Sequence, residues 1–222
     1  MSVLNENNLW IVDSDGLVGG VYKTTNGGTT WTRQLNLGTL NPENIYMYNK
    51  DIGFISKVNT GAPYTRKTTD GGQSWFVVVN NEGFTDMHLA DSLIGWRSYG
   101  TMKKTTDGGL SWLNQTLPIT IFTQVDKFSN VNSDTIWGGG GFLIFPNNQA
   151  RGILYRTTNG GNNWFYQIPD TNIHSGRYSN IDFNNYLIGW AYKSISGIHS
   201  TSGGDTTFYT GVQQLVSVIP ED

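Results

Sequence analysis

The chain contains no cysteine. That removes disulfides, Cys-ligated zinc and thiol catalysis. Charge is sparse as well: 14% of the 222 residues are Asp, Glu, Lys or Arg, against about 25% in an average soluble protein. The net charge is −3 and no run of Lys or Arg occurs, so the basic stripe of a nucleic-acid binder is missing. No apolar stretch reaches the roughly 18 residues that cross a membrane as a helix. No signal peptide is visible at Met1, and MSVLNENN reads as a trimmed start. Helical periodicity is missing too, which predicts almost no helix.

What is present is glycine, aromatics and repetition. Glycine numbers 28 and aromatics make up 13% of the chain, a mixture that suits many short strands and tight turns. YKTTNGGTTW ends at Trp31, KTTDGGQSW at Trp75, KTTDGGLSW at Trp112 and RTTNGGNNW at Trp164, with a worn copy, HSTSGGDTTF, ending at Phe208. The Asn/Asp position falls at Asn26, Asp70, Asp107, Asn159 and Ser202. Spacings of about 40–50 residues are those of propeller blades. A second signature with Trp10, Phe54, Trp96, Trp137 or Trp190 precedes each copy.

Each unit therefore holds four strand-like runs, a to d. The pattern predicts an all-β, five-bladed β-propeller of four-stranded antiparallel blades. The blades are residues 1–37 with 212–219, 38–81, 82–116, 117–169 and 170–211, all in one domain. The first unit starts at strand b (NNLWIV), and an extra run, VQQLVSVIP, follows the fifth unit. The C-terminal run is expected to complete the first blade, because an open edge would leave backbone groups unpaired.

The recurring box resembles the Asp-box, or BNR repeat, Ser/Thr-x-Asp-x-Gly-x-Ser/Thr-Trp. Thr68, Asp70, Gly72, Ser74 and Trp75 match every fixed position, as do Thr105, Asp107, Gly109, Ser111 and Trp112. Asn26 with Gly28 and Trp31, and Asn159 with Gly161 and Trp164, carry Asn for the acid. Asn163 also departs from Ser/Thr, and the fifth copy keeps Gly204 but has Ser202 and Thr207. The whole is similar to propellers with GW…YKTTDGGxSW units, the photosystem II assembly-factor type and bacterial exported proteins. The tail SVIPED resembles the linker before C-terminal sorting domains of exported proteins. The resemblance implies an extracellular or cell-surface location, as part of a larger exported polypeptide.

The box itself reads as a turn that staples strand c to strand d, not as a metal or phosphate cradle. Asn or Asp accepts from backbone N–H groups, glycine permits positive φ, and the Trp buries its face between blades. In the family this turn lies opposite the usual binding surface.

Ligand-binding candidates are therefore sought on the other loops and on the inner strands: Tyr46, Tyr64, Asp86, His88, Arg97, Tyr99, Asp126, His174, Arg177, Tyr178 and Asp182, with Arg151 beside them. The expectation is a non-catalytic module that binds a glycan or a protein, with no metal and no cofactor. The alternative is a glycan-active hydrolase or lyase domain using Asp86, Asp126 and Asp182. Glycosidase chemistry needs two carboxylates about 5–10 Å apart across one bond. The sialidase FRIP-like motif is absent, since FLIFP (Phe142 to Pro146) contains no arginine, and Glu6, Glu43, Glu82 and Glu221 all fall at loops or ends. An assembly factor with an arginine-rich patch fits less well, because the six arginines are scattered.

Overall fold

A computed structural model of the chain describes residues 1–13, 19–38, 41–58, 61–118, 122–144, 150–168, 176–193, 196–200 and 215–218. These residues contain strands and turns and no α-helix. The strands form five four-stranded antiparallel sheets.

The first sheet runs in order through β1 (Ser2–Val3), β2 (Leu9–Asp13), β3 (Gly19–Thr24) and β4 (Thr32–Gly38). The second holds β5 (Asn44–Met47), β6 (Gly53–Lys57), β7 (Tyr64–Thr68) and β8 (Phe76–Asn80). The third holds β9 (Asp86–Leu89), β10 (Gly95–Tyr99), β11 (Thr101–Thr105) and β12 (Leu113–Asn114). The fourth holds β13 (Phe122–Asn130), β14 (Ile136–Ile144), β15 (Ala150–Thr157) and β16 (Phe165–Gln167). The fifth holds β17 (Asn180–Phe183), β18 (Gly189–Lys193), β19 (Ser196–Ser200) and β20 (Leu215–Val218).

Five sheets of four strands agree with the repeat count. The C-terminal run does supply a closing strand, but for a different sheet than expected. β20 pairs with β19, Ile198 facing Ser217. The first sheet takes its first strand from Ser2–Val3, with Ser2 facing Trp10. Two residues are too few to show alternation in sequence. A return to the adjacent strand also closes a shorter loop than one to the far end of the chain.

The chain divides into two compact units, one of Met1–Tyr99 with Thr105–Trp112, the other of Gly100–Lys104 with Leu113–Asp222. In the first unit Trp10, Val21, Ile45, Met47, Ile55, Tyr64 and Trp75 form one buried cluster. Phe54, Phe84, Met87 and Leu89 form another, with Trp112 packed against it. In the second unit Trp137, Leu154, Tyr178, Phe183, Ala191 and Ile198 cluster, Trp137 stacking on Phe183 at 4.1 Å. Apolar area removed from water, at about 25 cal/mol per Å², is the main stabilising term of such layers.

Two kinds of turn finish each of the first four sheets at the same end. The glycine turn is built alike in four copies. In the second, Thr68 Oγ1 donates to Asp70 Oδ1 (2.8 Å) and accepts from Gly72 N (2.9 Å), while Ser74 N donates to Asp70 Oδ1 (2.9 Å). Asn26, Asp107 and Asn159 accept in the same way from the backbone N–H of Thr30, Ser111 and Asn163. Gly28, Gly109 and Gly161 each donate from the backbone to the Thr four residues earlier. Gly71 and Gly72 sit at φ +71° and +98°, a region a side chain disfavours. Ser202 and Gly204 lie outside the described residues.

The second turn was not read from the sequence. Asn5, Asn49, Asp91, Asn132 and Asn185 each accept two backbone N–H bonds from residues two and three positions on. These are Asx turns between strands a and b. Each stands five residues before the signature aromatic, a fixed offset that could have revealed them. Backbone bonds then sew the two turns together: Gly71 N to Asp51 O (2.9 Å), Gly108 N to Leu93 O (2.8 Å) and Gly160 N to Asp134 O (2.9 Å).

The box tryptophans do not share one environment. Trp75 and Trp164 are buried, and Trp112 is half-buried against Phe54 at 6.4 Å. Trp31 is 38% exposed, so the expectation of burial between blades does not extend to the first copy.

Candidate functional site

The first unit holds six of the candidates, and most are committed to structure. Tyr46, on β5, accepts a bond from Leu89 N at 2.9 Å, and burial pushes its hydroxyl up to about 12. Its ring lies 6.1 Å from that of His88, whose pKa burial lowers. Tyr64 is buried in the core beside Arg66, and burial pushes its hydroxyl to about 12.

Arg97 is 1% exposed. Its Nη2 meets Glu82 Oε1 at 3.0 Å, its Nη1 donates to Gly83 O at 2.6 Å, and its guanidinium lies 5.2 Å over Trp112. Burial lowers its pKa and Glu82 opposes that. Arg97 is thus an internal brace, not a group offered to a ligand. Asp86 accepts from Met87 N, and exposed Tyr99 donates to Val58 O at 3.0 Å.

The second unit brings candidates together. Its fourth sheet has longer strands than the others because β13 and β14 run on to Phe122 and Ile144. Register shifts fall between Phe122 and Val125 and again between Val125 and Lys127. The second shift leaves Asp126 as an extra residue opposite the Gly139–Gly140 step, the arrangement of a β-bulge, which re-aims a side chain. Gly140 sits at φ +136°, and a Cβ there would stand 2.7 Å from Asp126 N and 3.2 Å from its carboxylate. Only glycine fits this approach.

Around that bulge three polar side chains close a ring of contacts. Gln124 Nε2 donates to Asp126 Oδ1 at 2.5 Å, Arg177 Nη2 donates to Gln124 Oε1 at 2.9 Å, and Arg177 Nη1 lies 3.8 Å from Asp126 Oδ2. All three are half-buried. Phe122 stacks on its strand partner Phe142 at 4.2 Å and 15°, and remains 45% exposed.

Tyr178 follows Arg177 and lies 1% exposed, with its hydroxyl buried and no hydrogen-bond partner among the described residues. Its Cβ faces Gly139 and its ring edge faces Gly152. Burial raises its pKa far above the usual tyrosine value. Asp182 stands exposed on β17. Arg151 is buried on β15, and His174 lies outside the described residues.

These contacts lie at the end of the sheet away from its glycine turn. β13 leads from Phe122 down to the 131–135 turn, which bonds the glycine turn through Gly160. Phe122, Gln124 and Phe142 were not singled out in sequence. The signal for them is the WGGGGF run, which marks close backbone approach. Among the described residues no group of three or more His, Asp or Glu could hold a metal ion. None of them forms a helix long and apolar enough to cross a membrane.

No family model matches the chain, and no curated protein matches it in sequence. Solved structures do match in shape. YCF48 bound to a D1 peptide superposes with TM-score 0.63 at 16% identity, over 99% of this chain and 67% of that one. YCF48 from Cyanidioschyzon merolae gives 0.64 at 14%, over 92% and 66%. The fold is a five-bladed β-propeller. The GH74 xyloglucanase from Xanthomonas campestris gives 0.68 at 12%, over 98% of this chain and 37% of that one. The propeller thus spans about two thirds of the YCF48 chains and little over a third of the xyloglucanase. Its neighbours include a peptide-bound protein and an enzyme, so likeness alone leaves its chemistry open.

Proposed function

We propose that the chain is a non-catalytic binding module of an exported or cell-surface protein. Its ligand, a protein or a glycan, is taken on the loop ends opposite the glycine turns. The observation that carries this reading is the Gln124–Asp126–Arg177 ring. Among the described residues one carboxylate, Asp126, stands in that ring, engaged by an arginine and an amide. Catalysis on a glycosidic bond needs two carboxylates disposed about it, one of them able to give up a proton. Binding needs only a shaped surface with a few placed polar groups and some apolar area, which Phe122 and the ring provide.

The alternative is a glycan-active hydrolase or lyase domain that recruits Asp182 alongside Asp126. A glycan array and a panel of surface-protein peptides, run beside a polysaccharide hydrolysis screen, separates the two. Binding without product release is the expected result. Product release abolished by Asp126→Asn would establish the alternative. Export is tested by fractionation of the native cells, with the protein expected outside the cytoplasm.

A further inference from the structure

We propose that the fourth blade's long end binds a neutral glycan, Phe122 serving as stacking platform and Gln124, Asp126 and Arg177 as the hydrogen-bonding edge. This rests on the binding-module reading and names the ligand class and the residues.

Charge is the first argument. Arg177 is balanced by Asp126 at 3.8 Å. An anionic ligand approaching the guanidinium meets the carboxylate, and a cationic one meets the reverse. A neutral ligand escapes both penalties.

Hydrogen-bond polarity is the second. Arg177 and the Gln124 amide nitrogen donate; Asp126 and the Gln124 oxygen accept. A sugar hydroxyl is donor and acceptor at once, so neighbouring hydroxyls can use both kinds of group.

The platform is the third. Phe142 holds one face of Phe122 at 4.2 Å while Phe122 stays 45% exposed. A rigid, exposed ring suits the apolar C–H face of a pyranose. Two residues of strand separate Phe122 from Gln124, about 7 Å, on the order of one sugar unit.

Tyr178 adds a fourth observation. Its buried hydroxyl has no partner among the described residues, and native proteins rarely leave such a group unpaired. Its ring runs from Gly139 toward Gly152, which pairs with Phe142. The hydroxyl is therefore directed along the sheet toward the platform end.

The test is calorimetric titration with cellohexaose, xylohexaose and mannohexaose, with hexagalacturonate as the anionic control and a surface-protein peptide panel beside them. At least one neutral hexasaccharide should bind more tightly than hexagalacturonate. Phe122→Ala should weaken it about tenfold or more, as the loss of a stacking anchor does. Phe122→Leu keeps apolar bulk but loses the ring, and should fall similarly; thermal melts of both variants establish that they fold. Asp126→Asn removes the negative charge beside Arg177 and should shift preference toward hexagalacturonate.

Failure of all three neutral sugars overturns the inference, as does unchanged binding in a folded Phe122→Leu variant. If the sugars fail and a peptide binds, this inference falls while the binding-module reading stands. If a sugar binds at Phe122 and is cleaved, the glycan site stands and the non-catalytic reading falls.

Discussion

Lys67 donates from Nζ to the carbonyl oxygen of Gly108 at 2.8 Å, joining the second sheet to the glycine turn of the third. Lys104 does the same to Gly160 at 2.6 Å. Each lysine stands immediately before the Thr that opens its own box, so a residue that looks like part of one turn clamps the next. Burial lowers the Lys67 pKa, and Asp107 counters it.

Lys67→Met should therefore destabilise the protein by about 1–3 kcal/mol, the range for leaving a buried acceptor unsatisfied. Urea titration of the variant against the wild type checks it. An unchanged midpoint would mean that water replaces the ammonium without loss.

Acid should loosen the second and third glycine turns before the first and fourth. Hydrogen bonds from the Ser74 side chain and backbone hold the Asp70 carboxyl at about 2, below the ordinary 3.8, and Ser111 does the same for Asp107. The folded pKa is depressed, so this stabilisation is full above about 4 and is lost as pH falls toward about 2. Thermal melts across that window should show a shallower loss for an Asp70→Asn/Asp107→Asn double variant, whose turns then match those of Asn26 and Asn159.

The box tryptophans should differ in weight. Trp75 is 8% exposed and lies in the first unit's core, so Trp75→Ala should cost about 3–5 kcal/mol. Trp31→Ala, at a 38% exposed site, should cost well under half of that. Equal losses in chemical denaturation would contradict the burial argument.

Gly140→Ala should disturb the bulge. The added Cβ meets Asp126 N at 2.7 Å in a backbone conformation closed to ordinary side chains. A cost of about 1–3 kcal/mol follows. Amide NMR should place the largest shifts at Gln124, Asp126 and Arg177; shifts elsewhere would mean that the bulge relaxes by another route.

The blade count was legible because KTTDGGxSW repeats itself and turn chemistry is local. The partner of the C-terminal strand was not, because Ser2–Val3 is too short to show a pattern, and pairing between distant segments is decided by backbone closure. At the candidate site, Asp126 and Arg177 could be named from sequence as separate candidates, one on an inner strand and one on a loop. Their meeting could not, because it depends on a bulge whose only trace is a run of glycines. Arg97 was misread for a related reason: a charged residue beside a loop looks available until Glu82 and Trp112 are seen around it.

One feature of the glycine turns bears on the surface they form. In the first turn Asn26 Nδ2 donates to Thr30 Oγ1 at 2.9 Å; in the second, Ser74 Oγ donates to Asp70 Oδ2 at 2.5 Å. The hydroxyl reverses its direction to suit whichever residue faces it, as a hydroxyl rotor can. It works as a reversible coupling between an interchangeable head and a fixed frame. The number of negative charges at that end can therefore be set turn by turn, through Asn or Asp, with the backbone path left as it is.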